Sequence, residues 1–224
     1  MYDLDDSDAR FDQLEELGLG YGLTDSGVNN MLSRCNRLQL KRLDLFNYSG
    51  QALPAEFIFL EKLALKGGWD LRGILDRLGG GTHLKSLHLT QPAPSCFEGN
   101  LLESIDKLET LEVRECPNLA ALCVIQALGC LPKLKSLKLR RAGIIDACIV
   151  PEMFGLQKLD LSFCRNIENL FLLKIKSHQL RHLDLTYTGV SGKEVNTELP
   201  QLEHLNLSGC RDIRCVVKFQ ALIS

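Results

Sequence analysis

The hydrophobic positions of this chain repeat one short pattern: a leucine, two free positions, a second leucine, one free position and a third leucine. The pattern occurs nine times between Leu14 and Leu207, and Val113 is the single residue that departs from it. A period of 20 to 26 residues predicts stacked structural repeats, each of which buries its leucines only against its neighbours. The leucines that open the nine copies are Leu14, Leu40, Leu60, Leu84, Leu108, Leu134, Leu156, Leu180 and Leu202.

Within each copy, apolar and polar residues alternate, which is typical of a short β-strand with one buried face. In the copy that begins at Leu156, the two following leucines should point into the core, whereas Lys158, Asp160 and Ser162 should face outward. One strand and one return segment per repeat place consecutive strands side by side in parallel. We therefore predict an α/β solenoid of horseshoe shape, with a parallel concave sheet of about nine strands and helical or irregular convex returns.

The return segments differ in their predicted structure. Residues 25–32 begin with an N-cap candidate, Asp25, and then have apolar side chains at helical spacing. Residues 119–128 have the same spacing, and residues 213–223 can form a last helix over the ninth strand. Prolines and glycines make the other returns poorer helices.

Three cysteines lie at one place in the repeat, eight residues after the opening leucine: Cys116, Cys164 and Cys210. The chain leaves the strand there, and a small buried group with a weak hydrogen-bond donor suits that turn. The strings Leu-Ser-Phe-Cys-Arg-Asn-Ile at 161–167 and Leu-Ser-Gly-Cys-Arg-Asp-Ile at 207–213 resemble the cysteine-containing subclass of leucine-rich repeats. Residues 23–28, with Cys35 after them, resemble the convex segment of that subclass.

This resemblance implies a leucine-rich repeat solenoid like the repeat domain of F-box leucine-rich repeat proteins and their relatives without an F-box. It implies substrate recognition for ubiquitin ligation, with ubiquitin-ligase components among the partners. The residues before Leu14 are too few for an F-box, so we expect none here. We expect an acidic leader or weak cap at residues 1–13, and one domain of about nine repeats at residues 14–224.

The composition limits which classes of protein and which cellular compartments are expected. A formal net charge of −2 argues against a strongly basic nucleic-acid binder. The N-terminal residues lack an apolar signal segment, and no apolar stretch is long enough to cross a membrane. The nine cysteines are an odd number and form no short-spaced pairs, so we expect thiols in a reducing compartment, the cytoplasm or the nucleus.

Two clusters stand out among the outward positions of the predicted sheet. The first is basic, lies on the fifth and sixth strands beside Glu112 and Glu115, and consists of Arg114, Lys138, Arg140 and Arg141. Adjacent strands are about 4.8 Å apart, so these cations should form one patch that can hold an acidic peptide or a phosphate. The plainer interpretation is solvated surface charge.

The second cluster lies on strands seven to nine and consists of Asp160, His182, Asp184, His204 and Asn206. Phe163 and Tyr187 border it where the strands end, as apolar anchors of the kind found in interface hot spots. The histidines and aspartates also permit a metal site. Since these residue types are ordinary on an exposed sheet, we favour a polar surface over a metal site.

The sequence contains no phosphate loop, dinucleotide turn, metalloprotease helix or nucleophile elbow. We therefore expect a non-enzymatic scaffold without a cofactor, whose protein partner lies across strands five to nine of the concave face. Recognition of substrates for ubiquitin-ligase-dependent degradation is the narrower expectation. The alternative is the leucine-rich repeat sensor fragment of a cytoplasmic immune-type receptor. A membrane partner is not expected, and a nucleic-acid partner conflicts with the acidic net charge.

Overall fold

Nine strands form one open parallel sheet in which the strand order follows the chain. The computed structural model describes residues 10–46, 53, 57–67, 71–79, 83–97, 101–117, 129–143, 155–168, 179–190 and 199–211. The predicted α/β solenoid is confirmed. Its strands are β1 (Glu16–Leu19), β2 (Arg42–Phe46), β3 (Lys62–Lys66), β4 (Ser86–Thr90), β5 (Thr110–Arg114), β6 (Ser136–Arg140), β7 (Lys158–Asp160), β8 (His182–Asp184) and β9 (His204–Asn206).

Every strand begins two residues after its opening leucine, as predicted. The register pairs the same position of consecutive repeats, so that Arg42 lies opposite Lys62 and Leu43 lies opposite Leu63. This alignment holds through all eight strand pairs. Side chains at one repeat position therefore form straight rows across the sheet, about 4.8 Å apart.

The pattern leucines fill a continuous core behind the sheet. Leu43, Leu87 and Leu137 are fully buried, because leucines of the repeats on both sides cover them. The leucines of the terminal copies are more exposed, since each of those repeats has only one neighbour among the described residues. The partly buried pattern leucines are Leu14, Leu17, Leu205 and Leu207.

Two α-helices lie among the described return segments. The first, α1 (Asp25–Arg34), buries Val28 and Leu32. Its N-cap is Thr24, whose Oγ1 accepts a hydrogen bond from the Gly27 amide at 3.2 Å. The prediction of Asp25 as N-cap was wrong by one residue. Asp25 is the first helical residue, where its charge favours the helix dipole.

The second helix, α2 (Leu71–Arg77), was not predicted. It buries three apolar side chains against the core and ends before Gly79, which has a positive φ of 64°. Two short 3₁₀ turns, Pro94–Phe97 and Leu101–Ile105, form the return after β4. The predicted helices at 119–128 and 213–223 lie outside the described residues.

In seven of the described repeats the chain leaves the strand through a left-handed residue, seven positions after the opening leucine. Glycines supply it in two of the described repeats, but five repeats use larger side chains at φ between 52° and 64°. These five residues are Gln91, Glu115, Arg141, Phe163 and Tyr187, which we call the exit ladder. Their shared backbone conformation lines them up along the edge where the strands end.

The turn cysteines follow the left-handed residue and hydrogen-bond to the previous repeat, as a buried weak donor should. Cys164 Sγ donates to the Leu139 carbonyl at 2.8 Å, and Cys210 Sγ donates to the Leu185 carbonyl at 3.0 Å. Cys116 Sγ lies 3.7 Å from the Pro92 carbonyl oxygen. All six cysteines that the structure describes are thiols. No described helix is long and apolar enough to cross a bilayer.

Candidate functional site

The basic cluster of β5 and β6 is organised around a buried carboxylate. Glu112 is only 3% exposed, although it belongs to an outward-facing row. Its carboxylate forms ion pairs with Arg114 and with Lys138 Nζ at 3.6 Å, and it lies 3.8 Å from His88 Nε2. These three longer side chains cover it, which explains how a glutamate on the open face of a sheet becomes buried.

The surrounding charges keep Glu112 ionised. Burial alone would raise the pKa of Glu112, but the hydrogen bond from Arg114 and the positive charges of Lys138 and Arg114 hold it below its ordinary value. Burial is the main cause that lowers the pKa of His88; the charge of Glu112 opposes this shift, and the positive charges of Lys138 and Arg114 add to it. A neutral imidazole therefore lies beside an ionised carboxylate and two cations.

The remaining cations of this cluster are also matched by acids. Arg140 Nε lies 3.5 Å from an Asp160 carboxylate oxygen and donates to Ser162 Oγ at 2.9 Å. Arg141 lies 3.8 Å from a carboxylate oxygen of Glu115. The predicted patch thus contains four cations with three carboxylates inside it, and is close to balanced rather than strongly positive.

The last residues of β7, β8 and β9 form the turns at which these strands end. The side-chain oxygens of Asp160, Asp184 and Asn206 each accept a hydrogen bond from the backbone amide two residues further on, at 2.9 to 3.1 Å. These are Asx turns, which take the three amides out of the strand ladder, while the amides of Leu161 and Leu185 still donate to the next repeat. They explain why β7, β8 and β9 have three residues each while β2 to β6 have five.

The two histidines of the second cluster are in direct contact. His182 lies opposite His204 in the register of β8 and β9, and their rings stack with centroids 4.4 Å apart and planes 7° apart. A cavity of about 730 Å³ opens beside them on the concave face. Its polar lining includes both histidines and the predicted aspartates Asp160 and Asp184.

The exit ladder carries the aromatic residues of the predicted site. Phe163 and Tyr187 stack with ring centroids 5.1 Å apart, and the Arg141 guanidinium lies 5.3 Å from the Phe163 ring centroid. Tyr187 is 51% exposed. Its ring lies over Gly209, where an added Cβ would approach within 2.5 Å of it. A cation and two aromatic rings thus form one continuous strip, in which Arg141 and Tyr187 are exposed and Phe163 is partly buried.

The structure places all ten predicted partner-binding residues on β5 to β9 or in the turns that follow them. Their side-chain contacts divide them into four groups rather than two clusters. Arg114 and Lys138 both contact Glu112, and Arg140 contacts Asp160. The third group is the aromatic strip of Arg141, Phe163 and Tyr187, and the fourth is the stacked pair of His182 and His204. Asp184 lines the same cavity as the histidines.

Sequence reasoning missed a ladder of charges at the position directly after the opening leucine. Opposite charges pair there between adjacent repeats, at 2.8 to 3.0 Å for the first three pairs. The alternation of sign along this position is visible in the sequence. The pairs are Glu15 with Lys41, Glu61 with Lys85, Glu109 with Lys135, and Arg181 with Glu203.

Comparison with known proteins assigns the fold. No protein-family model matches this sequence, and no curated protein sequence matches it. Several solved structures are similar to it. An internalin from Listeria monocytogenes has 18% sequence identity and a TM-score of 0.51, and the match covers 82% of this chain and 57% of the internalin chain. A leucine-rich repeat protein from Leptospira interrogans gives 18% identity, a TM-score of 0.51 and coverage of 86% and 47%.

The mouse RP105/MD-1 complex also contains a similar chain, with 18% identity, a TM-score of 0.56 and coverage of 88% of this chain and 38% of that one. The present chain therefore spans between 38% and 57% of the length of these structures. At such identity the likeness concerns the fold alone. Together with the nine-stranded parallel sheet, it shows that the chain folds as a leucine-rich repeat solenoid.

Proposed function

We propose that this chain is a non-enzymatic scaffold that binds a protein partner across β5 to β9 and the adjoining exit ladder. The observation that carries the proposal is the strip formed by Arg141, Phe163 and Tyr187. Arginine and aromatic residues are enriched in interface hot spots, where they supply contact area together with hydrogen bonds. A stacked, half-exposed aromatic pair on a rigid sheet suits that role.

The backbone supports the strip because it fixes where these side chains point. All three residues adopt the left-handed backbone conformation, which is uncommon for non-glycine residues. Each of them follows a strand that is anchored in the sheet. The rings also hold each other by stacking. Side chains that are already ordered lose less conformational freedom on binding, so this surface is preorganised for a partner.

The charges next to the strip indicate what the partner offers. A guanidinium group has five N–H donors. Among the described residues, Arg140 contacts Asp160 and Ser162, and Arg141 contacts Glu115 and the Phe163 ring. Carboxylates or a phosphate on the partner can use the remaining donors, while an apolar side chain covers the rings. We therefore infer a partner segment with acidic and apolar residues close together.

The test is affinity purification of the tagged chain from its own cells, followed by mass spectrometry. The double variant Arg140→Glu with Tyr187→Ala should lose one or a few partners that the wild-type chain recovers. Lys62→Glu, an exposed charge reversal on β3, is the matched control and should retain them. Identical partners for all three proteins would contradict the proposal.

The narrower form of this proposal is substrate recognition in ubiquitin-ligase-dependent degradation. It rests on the resemblance of the cysteine-containing turns, in which Cys164 and Cys210 make the same hydrogen bond to the preceding repeat. Recovery of a cullin adaptor with the wild-type chain would support it. Recovery of partners without any ligase component would be consistent with the general scaffold function but would contradict the ubiquitin-ligase role.

A sensor fragment of a cytoplasmic immune-type receptor is the alternative function. The same fold serves in RP105, which forms a complex with MD-1. A transcript that joins this sequence to a nucleotide-binding domain would favour the receptor. A transcript that encodes no such domain would exclude it.

A further inference from the structure

Three side chains that can bind metal ions converge at the end of the sheet. His182, Glu203 and His204 each offer a ligand atom, and these atoms lie within 4.8 Å of one another. This is the one group of its kind within the described part of the chain. We propose that these three residues bind a divalent transition-metal ion of the zinc class. Both histidines also belong to the proposed partner surface, but metal binding does not require the partner and can be tested with the chain alone.

The register of the sheet creates the site. His182 and His204 occupy the same repeat position on β8 and β9, so their rings meet across one strand spacing. Glu203 immediately precedes His204. The aspartates considered from the sequence serve the Asx turns instead, and the ligand that the sequence did not suggest is Glu203.

A modest rearrangement of side chains completes the geometry. Ligand atoms about 2.1 Å from a tetrahedral zinc ion lie about 3.4 Å from one another, which is closer than the 4.8 Å limit of this group. A metal must also lie near the plane of each imidazole, so the stacked rings must turn relative to each other. Both rings are on the open face, where such rotation is unhindered by the core.

A neighbouring side chain orients the carboxylate ligand. Glu203 is held by an ion pair with Arg181, a contact that orients one carboxylate oxygen and leaves the other for a metal.

The adjacent cavity also favours a cation and leaves room for a further ligand. Its charged lining comprises three carboxylates against two ammonium groups: Asp160, Asp184 and Glu203 against Lys138 and Lys158. Three protein ligands leave at least one coordination position open towards this space of about 730 Å³. Water, or a donor atom of another molecule, can occupy that position.

The experiment uses Zn²⁺ and Co²⁺ with the full chain under reducing conditions. Calorimetry with Zn²⁺ gives the stoichiometry and affinity, and Co²⁺ spectra separate the ligand types, because thiolate ligands give strong near-ultraviolet charge-transfer bands that imidazole and carboxylate lack. We expect one ion per chain without a thiolate band. His204→Ala should weaken binding at least tenfold, and Glu203→Gln should weaken it to a smaller extent.

His88→Ala is the control, since His88 is an imidazole on the same face outside this group, and it should bind as the wild type does. Far-ultraviolet circular dichroism verifies that each variant folds. Equal affinity of the wild type and His204→Ala, or a thiolate band that accounts for all bound Co²⁺, would overturn the proposal.

Discussion

At the scale of single residues, each buried polar group of this protein needs a hydrogen-bond or ion-pair partner. Cys164 is fully buried and donates to the carbonyl of Leu139, which lies in the neighbouring repeat. Glu112 is buried beneath the cations that neutralise it. In both cases a polar group away from water has a specific partner, because an unsatisfied one costs about 1–3 kcal/mol.

We predict that Cys164→Ala destabilises the protein by about 1–3 kcal/mol, because it removes the donor to Leu139 and leaves a small void. Cys164→Ser retains a donor and should cost less. Cys130→Ala changes a partly exposed thiol and should stay within about 0.5 kcal/mol of wild type. Urea unfolding measures all three, and equal stabilities of the two alanine variants would contradict this role of the turn cysteine.

A second prediction concerns Gly143, where an added Cβ would lie 1.8 Å from the Pro117 carbonyl oxygen. The backbones of adjacent repeats approach so closely there that Gly143→Ala must displace one of them. We expect a loss of at least about 1–3 kcal/mol in the free energy of unfolding. Gly20→Ala is the control, because nothing lies within 4 Å of its added Cβ. Equal effects of the two changes would show that the approach is not constraining.

The lowered pKa of Glu112 predicts how stability depends on pH. A carboxyl whose folded-state pKa is depressed stabilises the protein above its unfolded pKa, near the ordinary value of 4.5, and loses this contribution as the pH falls through the folded pKa. We expect Glu112→Gln to cost about 1–2 kcal/mol at pH 7, because it leaves Arg114 and Lys138 without their shared anion.

The wild-type carboxyl loses its stabilising charge as the pH falls through its folded-state pKa, so the difference between the two proteins should be smaller at pH 3 than at pH 7. Urea unfolding at both pH values measures it. A difference that stays constant from pH 7 to pH 3 would mean that the charge of Glu112 contributes nothing to stability.

At the scale of elements, the strands were predictable and their ends were not. The leucine pattern alone gives the first residue of all nine strands, because the pattern and the pleat share one register. The ends depend on local turns: Asx turns shorten β7 to β9, and the left-handed exit residues share a conformation but no residue type. The burial of Glu112 depends on which neighbours fold over it, which the alternation of residues does not show.

The charge ladder beside the strands gives a prediction at this scale. Lys85→Glu would place a negative charge between Glu61 and Glu109 and so make three like charges in a row, whereas Lys85→Gln only removes an ion pair. Both side chains of that pair are substantially exposed, so we expect under about 1 kcal/mol of destabilisation, larger for the glutamate. Urea unfolding at low and high salt tests this, since salt should abolish the difference between the variants. A difference independent of salt would exclude an electrostatic origin.

At the scale of the whole molecule, each repeat depends on its neighbours, and the surface properties change along the solenoid. Residues from β5 to β9 bring together the balanced cations, the aromatic strip and the histidine pair. The sequence suggested these residues because the rows of a regular sheet can be written directly from its register. Their contacts required the structure, since they depend on side-chain lengths and on the exit turns.

Photo-crosslinking tests directly whether a partner binds β5 to β9 and the exit ladder, as proposed. A photo-crosslinking amino acid replaces Tyr187 in one version of the chain and Lys62 in another, in the protein's own cells. We expect position 187 to cross-link to the partner recovered by affinity purification and position 62 not to do so. Cross-links from position 62 alone, or from neither position, would contradict the proposal.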